Sequence, residues 1–335
     1  MRTRCLAILF ALPTVCLPAQ SIDRIMFGSC LDETRPHDTL SVAIERDPDL
    51  FIFLGDNVYA DSSSPSIIRR SYELLGASPL FQELGERTEI LATWDDHDYG
   101  RNDAGREFSA RETSEQIFEE FWEVPSGATD RPGIYHAVEY GPEGRRVQLI
   151  LLDTRFFRTP LVRARTRLPG KGPYAVQDGE GTLLGQDQWQ WLSEVLERPA
   201  QLRVIASSIQ VLAEHHGWES WANFPREQQR LLEMVVAAGV PSVFVSGDRH
   251  FAEISAQQIE SAGRNATVMD ITSSGINRGY PNPVPTANAN RVGGYYLTHN
   301  VGELQLDWPA GGGSPQIRAR IYDEAGSVRL EQMVR

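Results

Sequence analysis

The hydrophobic pattern is carried by short apolar runs at 49–54, 89–94, 147–152, 203–208, 241–246 and 267–272, each bounded by turn formers or polar residues. Continuous runs such as Leu50-Phe51-Ile52-Phe53-Leu54 suit strands buried on both faces. Between several of them the spacing becomes helical, and residues 186–196 and 225–236 predict helices. Strand and helix alternate, which implies an α/β fold whose ligands collect at the carboxyl ends of the strands. The last stretch differs. Residues 301–308, 315–322 and 327–333 alternate apolar and polar positions across Gly-rich and Asp-rich turns, the pattern of an antiparallel meander available to complete a second sheet.

The first residues stand apart from this order. Arg2 and Arg4 precede the apolar run Leu6 to Leu12, and Leu17-Pro18-Ala19-Gln20 offers a small residue near a cleavage point, so residues 1–20 read as a secretory signal peptide. The run is too short to span a bilayer. Val15 before Cys16 is a poor match to a lipoprotein cleavage site. The expectation is a soluble exported protein, periplasmic or extracellular, with residues 21–335 forming a single domain and no membrane span. With 41% hydrophobic residues, such a length can bury a large core. A formal net charge of −13 disfavours a duplex nucleic-acid binder, which needs clustered Lys and Arg to displace counterions. It is compatible with an enzyme acting on phosphate esters, since bound cations invert the local field.

Chemistry gathers where the apolar runs end. They deliver, in turn, Gly55-Asp56-Asn57-Val58-Tyr59-Ala60-Asp61, Asp95-Asp96-His97-Asp98-Tyr99-Gly100, Asp153-Thr154-Arg155 and Gly247-Asp248-Arg249-His250. Upstream, Phe27-Gly28-Ser29-Cys30 supplies a thiol. Two of the three cysteines lie in the leader, so Cys30 has no intramolecular partner after export. Such a thiol is either a buried inert hydrophobe or a bound sulfur. An aspartate after a strand is commonly a helix cap or turn former. Several strand ends with ligand-type residues, joined by one lone thiol, together favour a metal site.

Gly-Asp-x-x-Tyr, Trp-Asp-Asp-His-Asp and Ser-Gly-Asp-x-His, preceded by Gly-Ser-Cys, resemble the PhoD-type alkaline phosphatases of the calcineurin-like metallophosphoesterases. Leu152-Asp153-Thr154-Arg155, the stretch Leu184 to Leu192 and Thr272-Ser273-Ser274-Gly275 are similar too, and the resemblance covers about residues 25–280. It implies a four-layer αββα sandwich of two mixed sheets flanked by helices. It also implies a two-metal site, with Asp56 bridging, Cys30, Tyr59 and His250 at one pole, and Asp96 and Asp248 facing the other. A thiolate and a phenolate demand a strongly acidic ion, because tyrosine must lose a proton of pKa about 10. A carboxylate pole suits a hard one. The expected cofactors are therefore Fe3+ and Ca2+, as the resemblance also implies. Purple acid phosphatases look similar at the Gly-Asp-x-x-Tyr motif, but there a carboxylate, an Asn-His pair and two histidines stand where this chain has Cys30, Asp96 and Asp248.

The resemblance further implies hydrolysis of phosphoric esters by a hydroxide generated between two cations. His97 is expected to bind a phosphate oxygen or protonate the leaving alkoxide, with Asp98 orienting its ring. Asp95 is either a calcium ligand or an acceptor beside it. Asn102 would support the calcium pole and Arg155 would grip a phosphate. His215, His216, Trp218, Trp221, Tyr280 and the turn at 281–285 are candidates for a substrate pocket. Monoester, diester and phospholipid substrates all remain open, for a protein expected to be a monomer. Two rivals use the same residues differently: a thiol hydrolase with Cys30 as nucleophile and His97 or His250 as base, and a non-catalytic calcium-binding or scaffold relative.

Overall fold

The computed structural model describes residues 21–179, 181–280 and 288–334, so the leader expected at residues 1–20 and the turn at 281–285 lie outside it. In chain order the elements are β1 Arg24–Gly28, α1 Thr39–Arg46, β2 Leu50–Leu54, α2 Pro65–Gly76, α3 Pro79–Arg87, β3 Glu89–Thr93, α4 Asp96–Tyr99 and α5 Arg111–Trp122. There follow β4 His136–Tyr140, β5 Val147–Leu151, α6 Gly185–Leu196, β6 Leu202–Ser207, a 3-10 turn Trp221–Asn223, α7 Pro225–Ala237 and β7 Ser242–Ser246. The chain closes with β8 Ala252–Ser261, β9 Arg264–Ser273, β10 Arg291–Tyr296, β11 Asn300–Asp307, β12 Gln316–Asp323 and β13 Val328–Val334.

Two mixed sheets result, one in the order β13-β12-β11-β1-β2-β3 and the other β10-β8-β9-β7-β6-β5-β4. The predicted apolar runs form the parallel centres: β1-β2-β3 in one sheet and β5-β6-β7-β9 in the other. The meander completes one of the two sheets, as its pattern suggests. It extends the first one, because β11 pairs antiparallel with β1, from Arg24↔Gln305 to Phe27↔Gly302.

Alternation along β2 shows how the layers form. Leu50, Ile52 and Leu54 point between the sheets and meet Val147, Leu149, Val204 and Val245 of the other sheet. Phe51 and Phe53 point outward into a cluster with residues of α1, α2, α3 and α5. On the far side Ile150, Ile205 and Phe244 are covered by Trp189 and Leu192 of α6 and Leu231 and Val235 of α7. The outcome is helix, sheet, sheet, helix, in which each fully buried large apolar side chain contributes about 1.5–3 kcal/mol of transfer free energy. Among the described residues no helix is long and apolar enough to cross a membrane.

Candidate metal centre

Parallel strands in both sheets end at one rim of the sandwich, and there the backbone turns sharply. Cys30 after β1, Asp56 after β2, and Asp248 and His250 after β7 all adopt positive φ, between 51° and 66°. Non-glycine residues rarely do so, and such strain concentrates at functional sites. Glycines let the turns close on one another. A Cβ at Gly55, whose φ is 95°, would lie 2.5 Å from Cβ of Asp95, and one at Gly247 would lie 2.5 Å from Oγ of Ser29. The first packs the ends of β2 and β3 together; the second pins the end of β7 against that of β1, across the two sheets.

The sequence motifs therefore converge. Cys30, Asp56 and His250 bring ligand atoms within 4.8 Å of one another, as do Asp56, Asp96 and His97, and also Asp95, Asp96 and Asp248. Asp56 is common to the first two sets. Its Oδ2 accepts from the Cys30 thiol at 3.4 Å and from the Tyr59 hydroxyl at 3.3 Å. Burial pushes the Cys30 thiol and the Tyr59 phenol well up, with the Asp56 charge adding to both, so only a strongly Lewis-acidic ion would take their protons. The ring of His250 is held through Nδ1 by the carbonyl of Arg278, which leaves Nε2 free. Burial lowers its pKa to about 4, keeping the imidazole neutral as a metal ligand requires.

The carboxylate group makes the strongest case for a cation. Asp95 Oδ2, Asp96 Oδ1 and Asp248 Oδ2 are buried and accept no hydrogen bond, although their carboxylates gather in one place. Buried unpaired carboxylate oxygens are too unfavourable to stand together without a compensating charge. Burial raises Asp56 and Asp248 well above the usual carboxylate range, reinforced by Asp96 and Asp95 respectively. For Asp96 burial acts the same way, but Arg155, His97 and the Asp103 N–H hold it at about 2. The donor set fits two ions: a thiol, phenol, imidazole and carboxylate group beside an all-oxygen group.

Several expectations are corrected. Asp98 does not orient His97. Its carboxylate accepts from the backbone of Asp95 at 2.6 Å and from the side-chain amide of Asn57 at 2.6 Å, tying the short helix α4 to the end of β2. His97 instead meets Asp61 through Nδ1 at 2.7 Å and packs against Tyr59 with ring centroids 4.2 Å apart. Arg155 is fully buried and spoken for, by Asp95 Oδ1 at 2.7 Å and Glu219 at 2.7 Å, so it does not reach a substrate. The same Asp95 oxygen accepts from Ser208 at 2.7 Å, which leaves only Oδ2 to face the cluster.

A cavity of about 430 Å³ opens over the carboxylates, lined at its base by Asp56, Asp96, His97, Asp248 and His250. Trp218 and Tyr280 line it as expected, and Asn102, expected at the calcium pole, lines it too. His215 and His216 do not: His215 points outward, and His216 is buried with Nδ1 accepting the Trp218 N–H. Trp221 is core, donating to Ser207 and packing on Trp189. The structure adds residues that sequence reasoning left without a role: Asp61, Asp103, Glu219, Arg167, Lys171 and Arg249. Asp61 and Arg249 lie inside quoted motifs, but nothing in the sequence shows which way they point.

Comparison with known proteins agrees with this architecture. A solved structure of PhoD superposes with a TM-score of 0.69 at 16% identity, over 95% of this chain and 73% of that one. A purple acid phosphatase from yellow lupin (Lupinus luteus) seeds gives 0.63 at 11% identity over 95% of this chain, which spans only 55% of the plant protein. GAP50, described as the anchor in the inner membrane complex of Plasmodium, gives 0.57 at 12% identity, over 94% of this chain and 89% of that one. At these identities the likeness concerns the fold alone. No curated protein matches the sequence significantly. The family profile of PhoD-like phosphatases, however, matches residues 29–308, from the serine before Cys30 into the turn after β11, and the chain belongs to that family.

Proposed function

We propose that the protein is an exported, metal-dependent phosphoric ester hydrolase that acts as an alkaline phosphatase or phosphodiesterase, with residues 21–335 working as one domain. Iron(III) would be held by Cys30, Asp56, Tyr59 and His250. Calcium would be held by Asp96 and Asp248, with Asp56 between the two and Asp95 Oδ2 adjoining. The observation that carries this reading is the trio of buried carboxylate oxygens on Asp95, Asp96 and Asp248 that lack any donor.

When bound, two such cations would neutralise phosphoryl oxygens and make water a stronger acid. The chain's own residues supply the rest. Asp61 occupies Nδ1 of His97, so Nε2 is the nitrogen left to donate a proton to the departing oxygen or to grip a phosphoryl oxygen. Burial opposes charge on this ring, but the carboxylates of Asp56, Asp61 and Asp96 push its pKa up to about 10, towards the protonated donor form. The indole of Trp218 and the ring of Phe251 wall the cavity. A thiol-hydrolase mechanism is disfavoured by the complete burial of Cys30 and the upward push on its thiol.

The test is hydrolysis of nitrophenyl phosphate monoester and diester at alkaline pH, with calcium and then with a calcium chelator. Loss on chelation and recovery with calcium is the expected result. Undiminished activity in chelator would point to the thiol enzyme, and inactivity with metal bound would point to a scaffold.

A further inference from the structure

The chain carries a net charge of −13, yet residues 159–177 contain no Asp or Glu and four cations, Arg163, Arg165, Arg167 and Lys171. Two of these, Arg167 and Lys171, turn into the wall of the cavity above the carboxylate cluster, where Arg249 joins them. Their partners are unusual for cations. Nε of Arg167 donates to the carbonyl of Lys171 at 2.8 Å, and the Lys171 amine donates to the carbonyl of His215. Among the described residues neither meets a carboxylate. Arg249 lies 3.9 Å from Asp248, beyond hydrogen-bonding distance, and its Nε is buried without a partner. The guanidiniums of Arg167 and Arg249 both lie over the indole of Trp218, 5.2 Å and 5.3 Å from its centroid.

Arg167 and Lys171 meet only backbone carbonyls and Arg249 only the carboxylate of Asp248, which belongs to the metal cluster, so three cations crowded on one wall are steadied by an anion placed among them. The floor of the cavity already accounts for the reacting phosphate. At about 430 Å³ the space is that of a small-molecule site rather than a single phosphoryl group. We propose that Arg167, Lys171 and Arg249, braced by Trp218, form a second phosphate subsite, so that preferred substrates are organic phosphates whose leaving group bears a further phosphate. This rests on the phosphoesterase reading of the same cavity. Arginine suits the task because its fork meets phosphate oxygens in pairs, and Trp218 fixes the orientation of two such forks.

The experiment compares phosphate release from fructose 1,6-bisphosphate and fructose 6-phosphate by the metal-loaded protein. One or two charge-assisted hydrogen bonds predict a kcat/KM ratio of roughly tenfold or more in favour of the bisphosphate, expressed mainly in KM. In Arg167→Gln/Lys171→Gln that ratio falls to about the twofold set by two phosphates against one, and in Arg167→Glu it drops further. Both positions lie on a surface segment, and thermal melting of each variant checks that the fold is retained. Equal kcat/KM for the two substrates in the unaltered protein, or a preference that survives the double substitution, overturns the subsite alone. Failure to release phosphate from either sugar or from nitrophenyl phosphate overturns the phosphoesterase reading, and the subsite with it.

Discussion

Nδ1 of His97 lies 2.7 Å from Oδ1 of Asp61, whereas Asp98, its neighbour in sequence, turns inward to Asn57 and the backbone of Asp95. Two carboxylates that look interchangeable in sequence thus divide into one that positions an imidazole and one that holds a loop. His97→Ala should lower kcat by about 10²–10⁴ with bound metal retained. Asp61→Asn should lower it by about 10–100-fold through misorientation of the ring. Asp98→Ala should lower stability by about 1–3 kcal/mol, because it strands buried donors. Steady-state kinetics alongside urea unfolding separates these effects; a larger kinetic loss in Asp98→Asn than in Asp61→Asn would reverse the assignment.

Arg155 is a second case in which burial decides the role. Its guanidinium bridges Asp95 and Glu219, and Arg158 pairs with the other Glu219 oxygen at 2.9 Å. Removing one member of a buried ionic network leaves the others uncompensated, so Arg155→Ala should destabilise the protein by about 3–5 kcal/mol. Any protein that folds should keep a KM for nitrophenyl phosphate close to that of the unaltered chain. A large rise in KM without loss of stability would restore the phosphate-gripping role.

The strand-end motifs were readable because they follow continuous apolar runs, and the order of those runs set the α/β class. Other elements carry weaker signals. β1 is only five residues and begins with an arginine, and α5 is crowded with charge along Arg111–Trp122. The hairpin β8–β9 alternates toward solvent at its tip, so only its buried half, near 267–272, read as a strand. In the site, Cys30, Asp56, Asp96, Asp248 and His250 stood out through motif chemistry. Asp61 did not, because Asp61-Ser62-Ser63-Ser64 reads as a polar turn. Glu219 and Asp103 join the cluster only through space, across long loops that no local pattern connects.

Metal removal should change the sign of the pH response. Burial raises Asp95 to about 6 and Asp98 to about 8, and Asp56 and Asp248 lie well above the usual range. A carboxyl that binds its proton more tightly folded than unfolded makes stability fall as pH rises from its unfolded value, near 4, to its folded one. Asp96, held at about 2, acts oppositely but only in more acidic solution. Between about pH 4 and 6.5 the buried His250, lowered to about 4, and His216, lowered further, oppose the carboxyls, so the metal-free protein should lose stability most clearly between about pH 6.5 and 8, where Asp56, Asp98, Asp248 and His97 act together. Addition of calcium should flatten or reverse that slope by taking the place of the protons. Thermal melting across this range, with and without calcium, gives the comparison.

The sulfur and phenol sites should report on one ion specifically. Cys30→Ala and Tyr59→Phe each delete a donor beside Asp56, and both should lower bound iron while leaving calcium nearly unchanged. Asp248→Asn should do the reverse. Elemental analysis of the three purified variants tests the division into two poles, and equal loss of both metals in every variant would argue for a single undivided site.

The most direct measurement of the central claim is metal content and hydrolysis on the same sample of purified protein. The account predicts bound iron and calcium together with hydrolysis of a nitrophenyl phosphate ester at alkaline pH. That hydrolysis should vanish in a calcium chelator, return on adding calcium, and be absent from Asp96→Asn. Hydrolysis by protein that holds no metal, or that persists unchanged in chelator, would contradict it.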